Sequence, residues 1–169
     1  MASAATASAA TASISGATSP DRSWAGIDRV AVLCQVQGRL LQPGTPEDRL
    51  CAQVIALAAR NSPVPIEKIS YGRALTQPPR TAMLLVHGAI DNVQDQPMLA
   101  FTIRRDRSGG VEPRPIFFGA APRVAPYSDT AAGNAALEGA LSASLSEVLP
   151  WLKPAAESGE LSPILKERM

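Results

Sequence analysis

The middle of the chain holds three strand-like segments in close succession, and this feature restricts the fold more than any other. The segments cover residues 81–91, 99–105 and 115–119. A six-residue connection over 92–97 follows the first, and the second is followed by a turn containing Gly109-Gly110, where glycine supplies positive φ. Short connections between consecutive strands are typical of antiparallel hairpins. The sequence therefore predicts an antiparallel meander at the centre of the fold.

A further strand and a helix precede the meander. Residues 29–38 alternate apolar side chains on both faces, which predicts a central strand that is largely covered on both sides. Thr45-Pro46-Glu47-Asp48 then forms a helix start, with a capping hydroxyl, a first-turn proline and two acids at the positive end of the dipole. This helix is expected to end near Asn61 and Pro63, before a short strand over 66–71.

A second long helix follows the meander. It is predicted from about residue 132 to 149 or 152, because leucine and valine recur there at spacings of three and four. Pro150 is expected to bend or end it. The resulting order β-α-β-β-β-β-α predicts an α+β two-layer sandwich, with a mostly antiparallel sheet of about four or five strands and both main helices on one face. The repeated strand-helix alternation of a doubly wound fold is missing.

The two ends of the chain differ in composition from its centre. Of the first 20 residues, 16 are Ala, Ser or Thr, so residues 1–23 are predicted to form a disordered tail. Ala-x-Ala steps in this segment also suit a signal remnant, although a basic start and a strong apolar run are missing. Residues 24–153 are predicted to form one α+β domain, and 154–169 a charged C-terminal tail.

Length and charge exclude several classes of protein. A chain of 169 residues accommodates one domain with a real core and not two well-developed ones. Its formal net charge of +1 supplies no general attraction to nucleic acid or anionic membranes. No window reaches the roughly 18 to 20 apolar residues of a transmembrane helix.

The register of the meander predicts which side chains share a face. Matching the apolar rows pairs Ile90 with Leu99, Gly88 with Phe101 and Val86 with Ile103. Continued into the next strand, the same matching pairs Ile103 with Ile116 and Phe101 with Phe118. This apolar face is assigned to the helices. The opposite face then carries His87, Thr102 and Phe117, and beside them Leu85, Arg104 and Pro115.

His87, Thr102, Arg104 and Phe117 are therefore the candidate ligand-binding residues. An arginine offers a fixed fork of donors to an anion, and a phenylalanine ring offers an apolar platform. A small anionic or amphipathic ligand would suit them. In the alternative interpretation, His87 and Thr102 form a half-buried cross-strand pair and Arg104 is a solvated charge.

A second candidate surface is basic. The region from Arg104 to Arg123 contains five arginines and two acids, a balance of +3, with phenylalanines nearby. Such a surface could bind single-stranded nucleic acid. No RNP-type run of glycine and aromatic residues supports this alternative, and charges at a hairpin tip also prevent edge-to-edge aggregation.

Most catalytic templates fail because the chain lacks the residues they need. It has one histidine, which cannot supply a zinc triad, and no serine lies in a G-x-S-x-G elbow. Phosphate loops are also missing, so neither a metal nor a cofactor is predicted. A small hydrolase or transferase using His87 and a neighbouring acid stays as the enzymatic alternative.

Whether the two cysteines form a disulfide depends on the redox conditions of the compartment. If the first helix folds back onto the first strand, Cys34 and Cys51 come close, and in an oxidising compartment they could form a disulfide across a separation of 17 residues. In a reducing cytoplasm both would be small buried hydrophobic residues.

These observations favour a noncatalytic binding or assembly domain on a flexible tether. In element order alone, the chain is similar to small α/β domains of bacterial envelope and secretion-accessory proteins. The expected partners are a protein or a small anionic ligand, and the open face or an edge strand could form a homodimer interface. Two locations stay open as expectations: the cytoplasm, or the periplasm or exterior of the cell if a signal upstream of Met1 is missing from the sequence.

Overall fold

The computed structural model describes residues 24, 26–38, 45–74, 76–108 and 118–153. The predicted tails at 1–23 and 154–169 lie outside the described residues, as do Gly109-Gly110 and residues 115–117, which include Phe117.

Six strands and three α-helices make up the described part of the chain. The strands are β1 (Arg29–Gly38), β2 (Ile66–Lys68), β3 (Thr81–Val93), β4 (Gln96–Ser108), β5 (Phe118–Gly119) and β6 (Arg123–Pro126). The helices are α1 (Thr45–Ala58), α2 (Tyr71–Ala74) and α3 (Ala131–Val148), and a 3-10 turn follows at Pro150–Leu152. Among these helices, none has both the length and the apolar composition to cross a membrane.

The strands form one mixed sheet in the order β2-β1-β3-β4-β5, and β6 pairs with β4 beside β5. The β3-β4, β4-β5 and β4-β6 pairs are antiparallel, whereas β1 is parallel to both of its neighbours. Parallel neighbours need crossover connections, and α1 supplies one of them between β1 and β2. The predicted α+β class and the central position of the first strand are therefore confirmed.

Both long helices pack on one face of the sheet, as predicted. Side chains from β1, β3 and β4 meet the apolar stripes of α1 and α3 in one continuous core. The largest fully buried side chains include Leu50, Val54, Leu84, Val86, Leu99, Ile103, Leu137, Leu141 and Leu145. Helix α3 begins where the Thr130 hydroxyl accepts a hydrogen bond from the N–H of Gly133, and it ends before Pro150.

The segment after β2 differs from the prediction. A strand was expected over 66–71, but β2 ends at Lys68 and the four-residue helix α2 begins at Tyr71. Ile69 instead lies on the face of the sheet opposite α1 and α3. It packs there with Leu33 and Met83 in a small second cluster. This segment therefore covers part of the second face.

The hairpin of β3 and β4 has the predicted register and a shorter turn than predicted. Val86 lies opposite Ile103, Gly88 opposite Phe101, and Ile90 opposite Leu99. The six-residue connection expected over 92–97 is wrong, because both strands extend until only Gln94 and Asp95 remain between them. These two residues have φ values of 50° and 59°, the signs that a type I′ turn requires.

The predicted register of the next strand is wrong by four residues. Phe118 lies opposite Arg105 rather than Phe101, and β6 occupies the place opposite Phe101. The edge chain is interrupted between its two short strands, where Pro122 has no N–H to give to a ladder. The prediction paired apolar rows only, but Arg105 faces the core and is 2% exposed.

Two tryptophans and an arginine close one end of this core. The guanidinium of Arg105 lies over the ring of Trp24, 4.2 Å from its centroid. The Trp24 and Trp151 rings meet edge to face with centroids 5.1 Å apart. The indole N–H of Trp24 donates to the carbonyl of Val148, and that of Trp151 donates to the carbonyl of Ala58.

Cys34 of β1 and Cys51 of α1 form a disulfide bond. Their Cα atoms lie 5.8 Å apart, and both residues are buried in the main core. The bond ties the first helix to the strand on which it packs.

Candidate binding site on the open face of the sheet

Strand alternation places the sole histidine on the face opposite the long helices. Val86 and Ile103 point into the core, so His87 and Thr102, their chain neighbours, point the other way and lie directly opposite each other. On the other side of β3, the parallel register brings Gln35 of β1 beside His87. Gln35, His87 and Thr102 therefore form one row across three strands.

The next row combines one amide side chain with three apolar ones. Gln37, Ala89, Ala100 and Val124 lie side by side on β1, β3, β4 and β6. Ala89 and Ala100 are exposed, and Val124 is 63% exposed. Among the described residues, no helix packs on this part of the face, because the segment from Ile69 to α2 covers only the part near Leu33 and Met83.

These two rows line an open groove of about 420 Å³. Its lining combines amide, hydroxyl and imidazole groups with small apolar side chains. The lining residues are Gln35, Gln37, His87, Gly88, Ala89, Ala100, Phe101, Thr102 and Pro122. No aspartate or glutamate is among these described lining residues.

Arg104 determines the tautomer of His87 and contributes to its neutral charge state. Its Nη2 lies 3.1 Å from Nδ1 of His87, and a guanidinium can only donate, so Nδ1 accepts and the ring proton is on Nε2. Burial of the ring, and then the positive charge of Arg104, lower the pKa of His87 from its ordinary value of 6.5. The imidazole is therefore neutral at pH 7.

The hydroxyl of Thr102 is less available to a ligand than its position on the open face suggests. Its hydroxyl lies 3.5 Å from the carbonyl oxygen of Ala120, to which it donates a long hydrogen bond. The side chain is thereby directed toward the connection between β5 and β6.

The structure brings together three of the four residues predicted for the site. His87, Thr102 and Arg104 share the open face, whereas Phe117 lies outside the described residues. Gly119 occupies the place beside Arg104 that was predicted for Pro115. The sequence reasoning missed Gln35 and Gln37, although two polar residues in an otherwise apolar strand were a signal for an uncovered stretch.

The arginines of the predicted basic region are dispersed. Arg105 is buried against Trp24, and Arg123 forms an ion pair with Glu147 of α3. The side chain of Arg107 and the whole of Arg114 lie outside the described residues. Arg104 is the member of the set that the structure places on the open face.

Comparisons with known proteins identify distant structural neighbours and no family. No protein-family model matches the chain, and no curated protein matches it. Two structures described as dodecamers of PelC from Paraburkholderia phytofirmans, the first of them a point variant, have TM-scores of 0.47 and 0.46 and identities of 14% and 11%. Each match covers 73% of this chain and 90% of that chain. A structure described only as an uncharacterized protein has a TM-score of 0.35 and 12% identity, covering 75% of this chain and 86% of that chain.

Proposed function

We propose that this chain is a noncatalytic binding domain, and that its open sheet face binds a carboxylate-bearing ligand beside His87 and Arg104. The hydrogen bond from Arg104 to Nδ1 of His87 carries the proposal. Because Nδ1 is occupied, Nε2–H is left as a donor, and Arg104 keeps further N–H groups. A carboxylate can accept a hydrogen bond from either side chain, and the charge of Arg104 attracts it.

The lining of the groove suits such a ligand. The amides of Gln35 and Gln37 add neutral donors, and an anion meets no carboxylate among the described lining residues. Asp91 and Asp106 lie on the same face two rows to either side of His87, so they would restrict where a negative charge can sit. Because Ala89 and Ala100 have small side chains, the floor of the groove is flat there and could accept a flat apolar group.

The same contact disfavours the enzymatic alternative. A histidine that acts as a general base is commonly oriented by a carboxylate, whereas the partner of His87 here is a cation. The lowered pKa of His87 also reduces the protonated fraction available for acid catalysis near pH 7.

The proposal can be tested on the single histidine, whose ring gives one set of NMR signals. The pKa of His87 is measured from its ring ¹⁵N shifts in succinate, and in sodium chloride at equal ionic strength. A bound carboxylate stabilises the imidazolium, so the pKa should rise in succinate and not in chloride. A short peptide with one aspartate, tested in a parallel arm, distinguishes a protein carboxylate from a small one.

Two variants complete this experiment. Arg104→Gln should abolish the ligand-dependent rise in the His87 pKa. Arg60→Gln is the matched control, because Arg60 pairs with Glu138 of α3 on the helical side of the sheet and should leave the response unchanged. Equal rises in succinate and chloride, or a full response in Arg104→Gln, would refute the proposed site.

The disulfide supports an oxidising compartment for this binding domain, such as the bacterial envelope or the exterior of the cell. Cytosolic proteins rarely keep structural disulfides. Alkylation of the denatured protein without reductant, followed by mass spectrometry, should leave both cysteines unlabelled. Two alkylated cysteines in protein purified from its own cells would contradict this location.

A further inference from the structure

One side of β1 lacks a partner strand over half of its length within the described residues. On its β3 side, β1 is paired from Arg29 to Gly38. On its other side, the register with β2 stops at Val32, opposite Lys68. The strand therefore continues for six residues past the end of its neighbour.

Two hydrogen bonds show which backbone groups face this unoccupied side. The N–H of Val30 donates to the carbonyl of Pro65, and the N–H of Ile69 donates to the carbonyl of Val32, both at 2.9 Å. Backbone groups of successive residues alternate between the two sides of a strand. Cys34, Val36 and Gly38 therefore present their N–H and C=O groups to the side without a strand.

This stretch lacks the features that protect the other edges of the sheet. The edge strand β2 is short, follows Pro63 and Pro65, and ends in Lys68. The opposite edge is broken around Pro122 and ends at Pro126. Prolines, charges and interruptions are the usual means of preventing strand addition. Residues 34–38 read Cys-Gln-Val-Gln-Gly and contain neither a proline nor a charge.

A groove of about 540 Å³ lies beside this stretch, where the next strand would sit. Leu33, Cys34 and Gln35 line one side of it, and the segment from Lys68 to Tyr71 lines the other. The ring of Tyr71 is 68% exposed. A strand in this groove would continue the line of β2.

The charges of the groove favour an uncharged occupant. Lys68 is already paired with Asp48 of α1. The two other charged residues in the lining, Glu47 and Arg73, have opposite signs. A charged segment would therefore gain no net attraction, and it would have to place a charge near the half-buried Val36.

We propose that β1 accepts an extended segment of a partner protein as an additional strand, and that this segment alternates apolar and uncharged polar residues. Its backbone would pair with Cys34, Val36 and Gly38. Its apolar side chains would lie beside Cys34 and Val36 on the side of α1, and its polar ones beside Gln35 and Gln37. This pairing edge lies on the other side of β1 from the proposed carboxylate contact at Arg104 and does not depend on that contact, although Gln35 lines both grooves.

Amide exchange in the isotope-labelled protein tests the edge before any partner is known. In the free protein, the amides of Val36 and Gly38 should exchange faster than those of Gln35 and Gln37, which face β3. The probe is the synthetic peptide acetyl-Ser-Val-Thr-Val-Thr-Val-Ser-amide. Its addition should slow exchange at Val36 and Gly38 at least tenfold and leave Gln35 and Gln37 unchanged.

Backbone-blocked controls distinguish strand addition from general adhesion. The same peptide with alternate nitrogens methylated on its pairing edge should lose this protection, and this control needs no change in the protein. Val36→Pro removes one edge N–H and should also abolish protection, after thermal melting and an intact disulfide have shown that it is folded. Arg104→Gln should bind the peptide normally, which separates this test from that of the carboxylate site.

Three results would overturn the proposal. Slow exchange at Val36 and Gly38 in the free protein at low concentration would mean that another part of the chain covers the edge. Protection that increases with protein concentration alone would indicate a second copy as the occupant. Equal protection by the methylated and unmethylated peptides would show that the backbone is not the recognition element.

Discussion

Arg104 and His87 lie on adjacent antiparallel strands, offset by one row, and the guanidinium of Arg104 donates to Nδ1 of His87 at 3.1 Å. The contact requires a neutral imidazole. It therefore links the protonation state of one residue to the position of the other.

Stability should depend on pH through this pair. The pKa of His87 is lower in the folded protein than its unfolded value of about 6.5, so the unfolded chain takes up a proton first as the pH falls. Stability from this group is full above about pH 6.5 and decreases below it until the folded pKa is reached. Urea unfolding between pH 7.5 and 5 should show the decrease in the wild type and a smaller one in His87→Gln. A wild-type profile matching that of His87→Gln would contradict the coupling.

The disulfide should contribute measurably to stability. In the chain-entropy account, a bond between Cys34 and Cys51 is worth about 3 kcal/mol for this loop length. Reduction should lower the free energy of unfolding by this order, as measured by urea titration with and without a phosphine reductant. The Cys34→Ala, Cys51→Ala double variant is the control and should not respond to reductant. A reductant effect of equal size in both proteins would exclude the bond as its source.

The turn between β3 and β4 is conformationally unfavourable for its residues. Gln94 and Asp95 both have positive φ, which costs about 1 to 2 kcal/mol for an ordinary side chain and less for asparagine or glycine. Gln94→Asn combined with Asp95→Gly should therefore raise the free energy of unfolding by about 1 kcal/mol. Asp95→Ala is the contrasting control and should give no gain, because alanine disfavours the same conformation. The measurement is the urea midpoint at constant slope.

Trp24 should anchor the start of the described domain. It donates to the Val148 carbonyl, carries the Arg105 guanidinium on its ring and contacts Trp151. Trp24→Phe keeps a ring but loses the N–H, and should cost about 1 kcal/mol. Trp24→Ala should cost more, up to about 3 kcal/mol, because the ring packing is lost as well. Equal unfolding free energies for the two variants would show that the ring itself contributes little.

The sequence predicted those parts of the fold whose signals lie close together in the chain. The register of Val86 against Ile103 was predictable because both strands alternate strongly and lie close together in the chain. The central position of β1 was also predicted from its apolar pattern, but its parallel pairing with β2 and β3 was not, because parallel pairing depends on crossover geometry rather than on local pattern. The predicted register of β5 was wrong because the prediction matched only apolar residues on the core face, whereas Arg105 lies in the core against Trp24.

The candidate site was predictable to the same degree. His87, Thr102 and Arg104 were placed on one face by the β3-β4 register alone. Gln35 and Gln37 join them only through the pairing of residue 35 with residue 87, which no short-range signal indicates. The hydrogen bond between Arg104 and His87 could not be predicted from the sequence, because the two residues are diagonal neighbours rather than direct strand partners.

The contact between the rings of Trp24 and Trp151 has a consequence for engineering. Since Trp24 and Trp151 are in contact, a variant without residues 1–23 and 154–169 could have the two ends of the described domain joined by a short linker, and new termini could be opened at the turn of Gln94 and Asp95. For the same reason, an attachment made beside Trp24 would hold the described domain near the start of β3, at the end of the hairpin opposite that turn.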